Sequence, residues 1–511
     1  MSTISPRPAP PRAESPAAAA LAALWQLAGL PAEALAHADV SGRQPVLPSS
    51  FDVATAAQAS LGAAGLAAAE LWHLRTGQRQ QVAIGREYAA MECTGYFALD
   101  GRVPALWDKL SGLYPCGAAA GTPGFVRIHA NFAHHRDGGL RLLGLPTGDD
   151  TPREHVTVAL QAWSAEAFEQ AAAAAGLVVA AGRSFAQWDA HPQGLALAGQ
   201  PVLQITLIEG APSASPTAWP AISAAQRPLS GIRVLDLTRI LAGPVAARCL
   251  AAYGADVLMV NGPHLPNIEA IADMSRGKRS ALIDLREAAG RAQLDALVAG
   301  ADVFLQGYRP GALAGRGYSA TALAARRPGI VVASLSAYGA RGPWAERRGF
   351  DSLVQTATGF NLAEGEATAA AATDRAGAGD GAADPAAPRA LPMQILDYAA
   401  GHLLAFGIQA ALWRRATQGG SWQVQVSLAG VGQWLRSLGR VADGLAAQRP
   451  GIAPLLAHSA CGFSALGPEA PATLRAIRHA AVFSATPACW DRPSMPPGSH
   501  LPVWPANPPT R

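Results

Sequence analysis

Strand-like and helix-like segments alternate from residue 231 onward, and this constrains the fold more than any other feature of the chain. GIRVLDLTR (231–239) reads as a strand, AGPVAARCLAAYG as a helix and ADVLMVNG as a second strand. ADVFLQGYRPGAL and GIVVASLSAYG continue the pattern after further helical text, and WQVQVSLAG adds a later strand. This is the spacing of βαβ units. It predicts an α/β fold whose parallel sheet is covered on both faces.

The earlier chain has a different texture. Residues 1–15 read as disordered and residues 16–37 as an Ala-rich helix. QQVAIG reads as a strand, and residues 111–145 carry Gly-punctuated strand signals such as GFVRIHANF. VTVALQAW and AFEQAAAAAG suggest two short helices within 152–182, and the Pro/Ser/Ala text of 211–228 reads as a linker. Residues 364–390 are rich in Gly, Ala and Asp and read as a loop. The Pro-rich tail after about residue 436 is expected to drape over the surface.

Two helical stretches echo each other. LPMQILDYAAGHLLAFGIQAALW (391–413) is apolar nearly all round, yet Asp397 sits near its front. SFDVATAAQASLGAAGLAAAELW (50–72) also starts with an acid, Asp52. In both, a Gly follows ten positions later (Gly62, Gly407), and Leu-Trp closes the run. Asp is a good N-cap, and a helix's first turn favours negative charge. On this reasoning alone both acids are helix caps, and the first turn is expected to keep each one ionised.

Composition narrows the function classes. The formal charge of +4 over 511 residues, without a basic stripe interleaved with aromatics, gives nucleic-acid binding little support. Five scattered cysteines without a CxxC read as reduced thiols in a cytoplasmic protein. No apolar run is read as reaching the roughly 18 residues of a membrane span, and the Pro-rich N-terminus has no apolar signal core. Ala, Gly and Pro enrichment with Arg over Lys resembles a GC-rich bacterial genome. His129, His134 and His135 in HANFAHH lack carboxylates at ligand spacing, so no metal site is expected.

From RPLSGIRVLDLTRILAGPVAARCLAAYGADVLMVN the chain resembles the family III (CaiB/BaiF-type) CoA-transferases. The likeness continues through SRGKRSALIDLREAAGR, ADVFLQGYRPGALAGRGYS, RPGIVVASLSAYGARGPW and RRGFDSLVQTATG to the Asp397 helix. REHVTVALQAWSAEAFEQAAAAAGLVVAAGRSFAQWDAHPQG is similar to the family's C-terminal segment. The resemblance therefore implies a permuted or partly duplicated order. It gives a Pro/Ala-rich segment (1–45), a C-terminal-half-like region with a small domain (46–210), the linker (211–228), an N-terminal-half-like Rossmann-type domain (229–435) and a tail (436–511). The implied fold is a doubly wound parallel (Rossmann-like) sheet with a smaller α+β domain.

The same resemblance implies CoA transfer between an acyl-CoA thioester and a small carboxylic acid. Asp397 is then the nucleophile, with Asp52 as the alternative in the first half. The family's CoA pocket carries over to Arg239, Ala242, Arg316, Arg348 and Asp351. Arg276, Lys278 and Arg279 form a basic knot suited to phosphates, and Tyr308 is placed to stack on adenine. CGAAAGTPG (116–124) is a candidate oxyanion loop. Coenzyme A enters as part of the substrate, and no tightly bound cofactor is expected. Family members form interlaced homodimers, and the rearranged order also allows the same contacts within one chain. Met259 and Asn261 stand where the family often has Lys and Glu.

Three rivals remain. An acyl-CoA racemase of the same fold needs two bases, and in that branch a His precedes the Asp of the motif that here reads RGFD; this chain has Phe350 there. A nucleotide-dependent dehydrogenase would need GxGxxG, where this chain has AGP. A non-catalytic CoA-binding protein derived from the family is the third.

Overall fold

The computed structural model describes residues 15–42, 45–212, 214–216, 219, 222–223, 226–376, 387–463 and 472–505. At its centre is a seven-stranded sheet. Its strands in chain order are β1 (Leu203–Leu207), β2 (Arg233–Leu237), β3 (Asp256–Asn261), β4 (Arg279–Leu282), β5 (Val303–Gln306), β6 (Val331–Ser336) and β7 (Trp422–Ser427). They lie side by side as β4-β3-β2-β5-β6-β7-β1. Six strands are parallel, as the alternation implied. The seventh, β1, comes from before the expected linker and joins the edge antiparallel to β7. The alternation pattern after residue 231 held no sign of it.

Among the helices are α1 (Val53–Thr76), α2 (Ala133–Leu142), α3 (Ala242–Ala252), α4 (Asp351–Ala357) and α5 (Ile395–Gln418). Every residue of α5 from Ile395 to Leu412 is buried. A helix that is apolar all round has no solvent face to offer, so it fills a core. α5 packs against α1, α3 and β7. At Gly401 an added Cβ would stand 2.5 Å from the Ala242 carbonyl oxygen, so only glycine lets α5 approach α3 this closely. By length and composition α5 passes for a membrane span, contrary to the sequence expectation. Its apolar window is wholly buried in this fold. Asp and His are too few there to lower its mean hydropathy enough.

The first half builds a small α+β unit. Gly112–Cys116, Gly124–Ile128 and Val179–Ala181 form an antiparallel sheet, and Phe168, Val156 and Leu160 bury against it. Two expectations are corrected. The loop expected at 364–390 begins as helix, because Phe360–Ala376 is helical; residues 377–386 lie outside the described residues. The tail is more than a surface drape. Leu456–Cys461 and Ala472–Ile477 pair in a sheet with Phe97–Leu99, and Ala481–Phe483 pairs with Val82–Ile84. ATLRAI alternates buried Leu474 and Ala476 with more exposed neighbours, the period of a half-buried strand. Residues 1–14 and part of the linker stretch lie outside the described residues.

Candidate active site

The carboxyl ends of parallel strands, where ligands of open α/β sheets bind, here open onto a cavity of about 390 Å³. After β2 come Arg239, Ile240 and Leu241, then Ala242 at the start of α3; after β5 come Gly307, Tyr308 and Arg309; after β6 comes Ala337. The opposite wall combines Arg347, Arg348 and Phe350 with Phe132, His134 and His135 from the small unit. Asp397 is the sole carboxylate among the lining residues. Ile240 sits at a φ of 72°, a region that β-branched residues avoid. Such a backbone costs about 1–3 kcal/mol, which the packing around the turn between β2 and α3 must offset.

Lys278 shapes that turn from below. Its ammonium is fully buried and lies 2.9 Å from the Asp236 carboxylate at the end of β2. It also donates to the Pro244 carbonyl at 3.0 Å. Asp236 in turn accepts the Thr238 N–H at 2.9 Å. The basic knot expected to hold phosphates is thus engaged inside the protein. Burial pushes the Lys278 amine down, while Asp236 opposes the shift. Arg276 is bound to Asp273 at 2.5 Å and lies over the Trp490 ring. Arg279 pairs with Asp256 at 3.1 Å and donates to the Val503 carbonyl. None of the three lines the cavity. Trp490 and Val503 belong to the tail, which spacing alone did not connect to this knot.

Arg239, Ala242, Tyr308 and Arg348 do line the cavity. Arg239 donates to the Pro266 carbonyl, and Arg348 to the Gly176 carbonyl at 2.9 Å. Arg316 reaches the Leu285 carbonyl at 3.4 Å and is not part of the lining. Nor is the Gly-rich loop at 116–124. It closes a hairpin in which the Thr122 N–H bonds the Gly117 carbonyl at 2.9 Å. Asp351 is wholly buried and accepts the Asp397 N–H at 2.9 Å, so it holds the front of α5 from behind.

Two carboxyl groups so close cannot both ionise readily in a buried place. Burial, and then Asp351, pushes the Asp397 carboxyl well above the usual range. Burial also pushes Asp351 up to about 7, against hydrogen bonds from the Asp397 N–H and the Gln355 amide. The helix terminus, which favours the ionised form of Asp397 by about 0.3–1 kcal/mol at exposed sites, is thus opposed by desolvation and by the second carboxyl, which the sequence expectation had not included. Asp52 lies elsewhere. Its carboxylate caps α1 through the Thr55 N–H at 3.0 Å and is ion-paired with the buried Arg86.

Sequence reasoning set HANFAHH aside as exposed or strand-face histidines. The structure puts His134 and His135 at the start of α2, in the cavity wall. His129 stacks on Phe350 with ring centroids 4.0 Å apart. Burial, then His135 and Arg127, lowers His129 to about 3. Burial, then His134 and Arg348, lowers His135 to about 4. A second buried group also escaped notice. Glu92, His479 and Arg248 meet across the first half, the tail and α3, with Glu92 and His479 3.0 Å apart. Burial alone would raise Glu92 and lower His479. Their mutual attraction instead holds Glu92 at about 2 and lifts His479 to about 10. Partners 387 residues apart leave no local signal.

A carboxyl at the front of a buried helix thus faces an arginine-rich cavity at the ends of the parallel strands of an α/β fold. In comparison with known proteins, residues 229–451 match the model of CoA-transferase family III. The probable fatty acyl-CoA transferase Rv3272 of Mycobacterium tuberculosis is 33% identical over 231 residues, 42% of this chain and 52% of that protein. The acetyl-coenzyme A transferase nodX of Hypoxylon pulicicidum is 33% identical over 238 residues, 44% of this chain and 38% of its own. The succinyl-CoA–L-malate CoA-transferase alpha subunit of Chloroflexus aurantiacus is 33% identical over 169 residues, 30% of this chain and 39% of the subunit. The chain thus spans about half or less of the length of these relatives. Among solved structures, a CAIB/BAIF family protein from Brucella suis is 25% identical with a TM-score of 0.34, covering 46% of this chain and 64% of that one.

Proposed function

We propose that the protein transfers CoA between an acyl-CoA thioester and a carboxylic acid, with Asp397 as the group that receives the acyl unit. The observation that carries this reading is Asp397 itself, the one acid in the lining of a cavity otherwise rich in arginine. The segment matched to the family ends beyond α5 and contains Asp397.

The steps follow from the chemistry of a carboxylate nucleophile. Ionised Asp397 attacks the thioester carbonyl, a C–O bond forms, the C–S bond breaks, and CoA leaves as thiolate. The thiolate then attacks the aspartyl carbonyl of the mixed anhydride and expels the donor acid as carboxylate. The acceptor carboxylate attacks the resulting aspartyl thioester, and the thiolate attacks the acceptor's carbonyl in the new anhydride. Asp397 is thereby regenerated. Burial raises the Asp397 carboxyl above the usual range, and attack requires its ionised form. Once ionised, a poorly solvated carboxylate is a strong nucleophile. We read the first half as the family's C-terminal part placed ahead of its N-terminal part. The packing of α1 on α5 supports this order.

The test is trapping. The protein is incubated with a panel of acyl-CoA thioesters, quenched with hydroxylamine, and its peptides are mapped by mass spectrometry. A hydroxamate at Asp397, absent from Asp397→Asn, is the expected result. A hydroxamate at Asp52, or calorimetric CoA binding with no adduct at all, sinks the reading.

A further inference from the structure

His135 stands in the same cavity as Asp397 and forms no side-chain hydrogen bond among the described residues. The residue is 6% exposed, and neither ring nitrogen has a hydrogen-bond partner. Its surroundings are aromatic. Phe132 lies 5.6 Å away centroid to centroid, Phe350 6.4 Å and His134 4.1 Å. The charged group that acts on it is Arg348, and no carboxylate does. A neutral imidazole has one N–H to give and one lone pair to offer. Burying both unmet is costly, and native structures rarely do so without a reason. Helix α2 lies outside the residues matched to the family model, so nothing in that match assigns this wall a role.

We infer that His135, with Arg348 beside it, binds a second carboxylate on the acid that gives or receives CoA, so that the substrates are dicarboxylic acids held between this pair and Asp397. The imidazole N–H donates to one carboxylate oxygen, and Arg348 supplies the countercharge. The inference rests on the CoA-transfer reading and adds the substrate class to it. A site built around a buried polar group rejects analogues that leave that group unmet far more strongly than an apolar pocket rejects a missing methylene.

Glutarate and pentanoate are suitable probes because they share a chain length and differ in the second carboxylate. As CoA acceptors, glutarate should exceed pentanoate in kcat/KM by about 100-fold. In His135→Phe that preference should fall to within about threefold, through loss on glutarate alone, carried mainly by KM. The melting temperature of His135→Phe should stay level or rise, because no hydrogen bond within the protein is lost. Equal use of the two acids by the unaltered protein overturns the inference, as does an equal loss on both in the variant or a large fall in its melting temperature. So does α-hydrogen exchange of a branched acyl-CoA in D₂O that His135→Phe abolishes, since the imidazole would then be a base. If neither acid accepts CoA, the transfer reading fails. Calorimetry of both acids on the CoA-loaded protein then decides the inference separately. Glutarate binding at least tenfold tighter, with the difference erased in His135→Phe, upholds it; no difference overturns it.

Discussion

α1 and α5 are both 24 residues long, and the residues that cap them share one backbone conformation, φ −82°, ψ 61° at Asp52 and φ −81°, ψ 62° at Gln394. Their acids nonetheless meet opposite fates. Asp52 is itself the cap, tied to Thr55 and to Arg86. Asp397 is the third residue of its helix, and its carboxyl faces a cavity and the neighbouring Asp351. Alignment by helix start therefore pairs Asp397 with Thr55 and Asp52 with Gln394. The lesson is that three positions along a helix separate an acid that staples a fold from one available to a substrate.

The comparison breaks most sharply on activity. Asp397→Asn should remove the trapped adduct and lower acyl transfer by about 10⁴-fold or more, whereas Asp52→Asn should leave the rate per folded molecule within a few-fold. Transfer that survives Asp397→Asn would place the chemistry elsewhere.

On stability the order reverses. Asp52→Asn strands the buried Arg86 cation and should cost about 3–5 kcal/mol in denaturant unfolding. Asp52→Asn combined with Arg86→Met should recover most of that. A single variant as stable as the parent would mean that the ion pair is idle.

Titration sharpens the contrast further. Asp351→Asn keeps an oxygen to accept the Asp397 N–H but removes the neighbouring charge. The acid limb of adduct formation should then move to lower pH, with faster labelling of Asp397 above pH 7, where Asp351 is ionised in the parent. The sign for stability comes from linkage. Asp351 is lifted from 3.8 to about 7 in the fold. Its contribution is most favourable below the unfolded value and is lost as pH rises through the folded one. Between pH 5 and 8 the parent should lose more stability than Asp351→Asn. An unchanged rate profile would show that Asp351 does not act on Asp397.

The smallest effect concerns the echoed glycines. At Gly407 a Cβ would stand 2.6 Å from Val424 and 2.7 Å from Leu203, so Gly407→Ala should cost about 1–3 kcal/mol. At Gly62 the nearest atoms are at 3.5 Å, and Gly62→Ala should be neutral or stabilise α1 by up to about 1 kcal/mol. Thermal melts of the two variants check this, and equal melts would remove the asymmetry.

Much of the scaffold was legible because its signals are local. β2, β3, β5, β6 and β7 were visible as apolar runs separated by helical text, and α5 as an apolar helix with an acid near its front. Arg239 and Ala242, which the family resemblance singled out, and Tyr308, named as a stacking residue, come after strands and do line the cavity. What failed were statements about partners. Lys278 and Arg279 looked available because Asp236 and Asp256 sit at distant places in the chain, and Arg276 because its pairing with Asp273, three residues before it, was not weighed. The wall formed by His134 and His135 was missed because α2 reaches the cavity only through the packing of the small unit.

By itself the sequence determined the parallel strands, the buried helix and the presence of an acid at its front. These depend on backbone periodicity and on side-chain polarity, both written within a few turns of chain. Only the tertiary structure decided which acid is tied to a buried arginine and which faces a cavity beside a second carboxyl. The partners that set the two acids apart, Arg86 for Asp52 and Asp351 for Asp397, come from 34 and 46 residues away, beyond the reach of local sequence pattern.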